Sequence, residues 1–68
     1  MINMPYLLSV REVADALKIS AESVRTLIRE GELPAVHIGP RQKILRVHAT
    51  DLRTYIEAHY NGSQRWGQ

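Results

Sequence analysis

Two serine-capped amphipathic segments, joined by only three residues, constrain this chain more than any other feature. Ser9 and Glu12 stand at the S-x-x-E spacing of a capping box. In that arrangement each side chain satisfies the other residue's backbone amide. Val10, Val13, Ala14 and Leu17 then recur at i, i+3, i+4 and i+7, so one stripe of a short helix is apolar. Lys18-Ile19-Ser20 forms the turn, with Ile19 expected to plug the angle between the helices. Ser20 caps a second helix, expected over Ala21 to Glu30. Its buried stripe is Val24, Leu27 and Ile28. Gly31 suits a left-handed stop, and Pro34 prevents the helix from resuming.

Such a pair of helices needs a cover, and the rest of the chain is short. Sixty-eight residues make one domain, and a chain of this size hides only about 60% of its unfolded surface. That leaves little material for the walls of an active-site cleft, so the chain is not expected to be an enzyme. There is no cysteine, which excludes disulfides and cysteine zinc sites. His37, His48 and His59 match no familiar local ligand spacing, so neither a metal nor another cofactor is expected. No apolar run approaches the ~18 residues of a membrane span. Residues 1–7 read as an irregular lead-in rather than a signal peptide. A reduced, cytoplasmic setting is expected.

The cover is expected to be a β-hairpin and a third helix. Ala35 to Ile38 and Lys43 to Val47 are rich in aliphatic residues, with Gly39-Pro40-Arg41-Gln42 between them as a turn. Leu45 and Val47 would face the core, leaving Ile44 and Arg46 outside. His48 or Thr50 opens a helix running to about Tyr60, with Leu52, Tyr55, Ile56 and His59 on one face. The expected organisation is one domain over residues 1–60 and a flexible tail over 61–68. The fold class is α+β: a two-helix helix–turn–helix, a hairpin wing and a C-terminal helix.

Charge placement suggests the partner. The net charge is only +2. Yet no acidic residue lies between Glu32 and Asp51, where Arg41, Lys43 and Arg46 fall. Concentrated positive charge suits a phosphate backbone. At 100° per residue, the second helix turns Glu22, Thr26 and Arg29 outward, with Arg25 on the flank. Arginine can donate bidentately to guanine, threonine can meet a base edge or a thymine methyl, and glutamate can accept from cytosine. Ser20 and Ser23 are placed for a phosphate. The same face would also serve as a plain solvated surface, with Glu22 paired to Arg25 or Thr26 for roughly 0.2–0.5 kcal/mol.

The string Leu8-Ser9-Val10-x-Glu12-Val13-Ala14, Leu17-x-Ile19-Ser20, Val24-Arg25-x-Leu27-Ile28-x-x-Gly31-x-Leu33-Pro34-Ala35, Ile38-Gly39, Arg46-Val47 and Asp51-Leu52 resembles excisionase-type winged helix–turn–helix proteins, which are related to the MerR-like fold. The resemblance covers about residues 7 to 60. It implies that the second helix enters the major groove of double-stranded DNA, through Ser20, Ala21, Glu22, Ser23, Arg25, Thr26 and Arg29. It implies that a wing carrying Arg41, Gln42, Lys43 and Arg46 meets the neighbouring minor groove. Excisionases bind adjacent sites cooperatively, bend DNA and direct a phage integrase toward excision, so an integrase and further copies on DNA become implied partners, within a bacterial host cell. Small transcription regulators share the string, and a protein-interaction adaptor is the alternative of another class. No coiled-coil seam is visible, so a monomer is expected in free solution, with Tyr60 and Trp66 as candidate contacts between copies on DNA. Two positions depart from the family pattern: Lys18 stands where glycine is common, and Pro40 stiffens the wing tip.

Overall fold

The computed structural model describes residues 6–60. The element order is β1 (Leu7–Ser9), α1 (Val10–Leu17), α2 (Ala21–Arg29), β2 (Val36–Ile38), β3 (Ile44–His48) and α3 (Ala49–Ala58). A tight turn at Pro40–Gln42, left-handed at Arg41, links β2 to β3. The fold is a small winged helix–turn–helix of the α+β class.

Helix α1 opens with the capping box in full. The Ser9 amide donates to Glu12 Oε1 at 2.8 Å, and the Glu12 amide donates to Ser9 Oγ at 3.1 Å. It ends at Lys18, whose φ of 61° is left-handed. The Ile19 amide reaches the Ala14 carbonyl at 3.0 Å and the Lys18 amide reaches Asp15 at 3.3 Å. These two bonds form a Schellman stop. Lysine here accepts the αL cost, on the order of 1 kcal/mol. Helix α2 begins on Ser20, whose Oγ accepts from the Ser23 amide at 3.0 Å. It closes by the same motif around Gly31, with Glu32 bonded to Leu27 at 2.9 Å and Gly31 to Ile28 at 3.1 Å. Glu30 caps this helix rather than ending it.

The sheet has three strands, in the order β1-β3-β2, with both pairings antiparallel. β1 corrects the expectation of an irregular lead-in up to residue 7. Leu7, Leu8 and Ser9 pair with His48, Val47 and Arg46. Three residues carry no periodicity of their own, so β3 imposes this strand. The Ala49 amide donates to the Tyr6 carbonyl at 2.7 Å, which ties the start of α3 to the same edge.

The core is Val10, Val13, Ala14, Val24, Leu33, Val47 and Leu52. Leu8, Leu17, Ala21, Leu27, Ile28, Ala35, Leu45 and Tyr55 pack around it, half-buried. The stripes of α1 and α2 are therefore the buried ones, and Leu45 and Val47 share the inner face of β3. Two expected core positions are corrected. Ile19 is 39% exposed, because the Schellman bonds project it out of the turn instead of between the helices. Ile56 is 42% exposed, since Leu52 and Tyr55 cover what the sheet offers α3. Leu33, only 1% exposed, fills the space behind α2. The expected helix end at Tyr60 falls back to Ala58, with His59 as the cap. The tail over 61–68, including Trp66, lies outside the described residues.

Candidate nucleic-acid interface

Helix α2 presents its polar face as a small network of charges. Glu22 lies between two arginines, 3.8 Å from Arg25 Nη1 and 4.0 Å from Arg29 Nη2. Thr26 Oγ1 donates to the Glu22 carbonyl at 3.1 Å and accepts from Arg29 Nη2 at 3.1 Å. The ionic side chains are well exposed, so these pairs are weak and exchange readily for other partners. The pairing of Glu22 with Arg25 is the one expected of a plain solvated face. That pairing leaves both guanidinium groups exposed at the helix surface. At the helix start, Ser20 Oγ is committed to the cap and donates to Ser23 Oγ at 2.9 Å, on an exposed serine. Ala21 is half-buried and packs against the core.

The wing tip is tighter than a plain loop. Arg41 and Gln42 both take positive φ, 58° and 54°. The Lys43 amide returns to the Pro40 carbonyl at 3.3 Å. Two consecutive left-handed residues inside such a bond resemble a type I′ turn, whose twist matches that of the flanking strands. Gly39, at φ 84°, makes the entry possible: a Cβ there would lie 2.7 Å from Ile44 Cδ1. Arg41, Gln42 and Lys43 are exposed at the end of this turn.

Arg46 stands on the outer face of β3, the expected side, yet it is half-buried, and its Nη1 donates to the Leu45 carbonyl at 2.8 Å. β3 is the central strand, with Ser9 of β1 opposite Arg46 on one side and Val36 of β2 on the other. The side contributed by β1 was not expected from the sequence.

The wing and α2 are not separate surfaces. A groove of about 390 Å³ runs between them, lined by Ser9, Val10, Arg11, Arg25, Lys43, Ile44, Leu45 and Arg46. It brings together Arg25 from the helix and Lys43 and Arg46 from the wing. Arg29 and Thr26 are not among its lining residues. Arg11 was not a candidate from the sequence. Its position two residues after the capping serine was readable, but its nearness to β3 was not, because that proximity depends on the pairing of β1. His59 stacks beside Tyr55, ring centroids 4.2 Å apart, and its Nδ1 lies 2.9 Å from the Tyr55 carbonyl. Among the described residues no cluster of His, Cys, Asp or Glu is placed to hold a metal ion. Nor is any described helix long and apolar enough to cross a membrane.

The fold and this surface define a winged helix–turn–helix module. The helix-turn-helix domain family matches residues 7–60, and the chain belongs to it. Proteins from two strains of Mycobacterium tuberculosis, whose names propose DNA binding, are 41% identical over 54 residues. That stretch covers 79% of this chain and 65% of theirs, so the chain spans a little under two thirds of those relatives. An excisionase of Mycobacterium phage D29 is 45% identical over 38 residues, 56% of this chain and 68% of the phage protein.

Proposed function

We propose that this chain is a sequence-specific double-stranded DNA-binding protein of the excisionase type, without catalytic activity of its own. The observation that carries the DNA reading is the groove in which Arg25 of α2 meets Lys43 and Arg46 of the wing. A duplex laid along α2 would bring its phosphates to those cations while its base edges meet the helix. In this reading Ser20, Ala21, Glu22, Ser23, Arg25, Thr26 and Arg29 form the major-groove surface. Arg41, Gln42, Lys43 and Arg46 form the wing, used as in the MerR-like fold. On binding, Arg29 exchanges its contacts with Glu22 and Thr26 for a base edge. Copies on adjacent sites associate, bend the DNA and steer an integrase toward excision. Kinship with the phage excisionase supports that role. The mycobacterial relatives are named only for DNA binding, which a small transcription regulator, the second reading, would equally satisfy.

Gel-shift titration on random and selected duplexes tests the first level. Binding at low salt that weakens steeply as salt rises is the expected result, and no binding to any duplex overturns it. Recombination in vitro with a cognate integrase tests the second level. Stimulated excision supports the excisionase reading. A bent, tightly bound site with no effect on excision supports the regulator.

A further inference from the structure

We propose that Arg11, on α1, completes a seat for one backbone phosphate of duplex DNA, in the groove between α2 and the wing. The proposal rests on the DNA reading above and adds a third element to the interface. Four cations, Arg11, Arg25, Lys43 and Arg46, line that groove, and no carboxylate does. They come from α1, α2, the end of the wing turn and β3, so no local sequence pattern assembles them. Like charges brought together without counter-charges favour an anion between them.

The partners of each cation support this. Among the described residues the Arg11 and Lys43 side chains meet no carboxylate, while Arg25 has only the exposed Glu22 at 3.8 Å. Arg46 gives one N–H to the Leu45 carbonyl, which fixes its guanidinium and leaves further donors to the groove. Arg11 is exposed and holds nothing in the fold together. The start of α1 is not itself the anion site, because Ser9 and Glu12 already cap each other there. Guanidinium groups lining an open pocket suit the paired oxygens of a phosphodiester. The seat lies beside the Arg25 flank of α2, where a strand bordering an occupied major groove would pass.

The test uses the full chain with Arg11→Gln, Arg11→Lys and, as control, Arg53→Ala. Arg53 lies on α3, is 78% exposed and pairs only with Glu57 at 3.4 Å. Arg11→Gln should weaken binding to selected and random duplexes alike, roughly five- to tenfold, and flatten the salt slope by about one unit. Arg11→Lys should keep the slope, and Arg53→Ala should change neither quantity. A methylphosphonate scan of the duplex should find one linkage whose neutralisation costs the wild type more affinity than it costs Arg11→Gln. If the wild type binds DNA and Arg11→Gln matches it in affinity and slope, the seat is overturned and the DNA reading stands. If the wild type binds no duplex, both fall. Titration with inorganic phosphate at constant ionic strength should leave the Arg11 Nε resonance in place. A saturable shift that duplex DNA does not displace would reassign the groove to a free anion and overturn the DNA seat.

Discussion

Lys18 and Gly31 occupy equivalent positions, each the left-handed residue that ends one helix of the motif, at φ 61° and φ 80°. Both sit inside the same pair of backbone hydrogen bonds. Only one of them is glycine. The pair therefore measures what a side chain costs at this position. Gly31→Ala should destabilise the fold by about 1 kcal/mol, although a Cβ there meets no atom within 4 Å. Lys18→Gly should stabilise it by about 0.5–1 kcal/mol, since relief of the left-handed strain outweighs the added freedom of the unfolded chain. Thermal melts should move in opposite directions, by about 4–8 °C per kcal/mol in a domain of this size. Two shifts of the same sign would contradict the assignment.

Leu33 offers a harder test of the core. It is 1% exposed and has no helix or strand of its own to hold it. Leu33→Ala should cost about 2–5 kcal/mol. A core this small rarely supplies more than about 3–5 kcal/mol in total. Far-UV circular dichroism at room temperature should therefore show a largely unfolded chain, and a cooperative melt near that of the wild type would refute the placement.

The wing should act through charge rather than sequence. Replacing Arg41, Lys43 and Arg46 together with alanine should weaken binding to selected and random DNA by similar factors. The slope of log affinity against log salt should flatten by roughly one unit for each phosphate that the variant no longer neutralises. Unchanged affinity and slope would remove the wing from the interface. Arg46 is half-buried, so a melt of the triple variant must accompany the titration.

Arg29 should behave differently. It lies outside the groove, bonded to Thr26 and near Glu22, on the outermost face of α2. If it reads a base, Arg29→Ala should cost about 1–3 kcal/mol on the selected site and much less on random duplex. Equal losses on both would mean that it meets the sugar–phosphate backbone instead. The substitution leaves the core untouched, so the melting temperature should hold.

How much of this was legible in the sequence depends on the range of each signal. The helices were readable because their information is local. Ser9 with Glu12 and Ser20 with Ser23 act within one turn, and the apolar stripes repeat within eight residues. The hairpin was readable from Gly39 and Pro40, although β2 starts at Val36 and β3 extends to His48. β1 was not, because its hydrogen bonds go to a strand nearly forty residues later. Part of the cover over Arg46 and the placement of Arg11 depend on that pairing, so they were hidden together. Leu33 escaped for a related reason: one leucine between Glu32 and Pro34 shows no period. Of the candidate interface, residue types and faces could be read, but the groove that joins them could not.

β3 passes into α3 without a linker: His48 is both the last residue of the strand and the cap of the helix. Val47, fully buried, is the strand residue just before that junction. The wing is thus the long arm of a lever whose fulcrum is the core. Any load taken up at Arg41 is borne by the packing around Val47 and Leu52 rather than absorbed in a hinge. A duplex that had to bend to meet the tip would be working against a stiff spring.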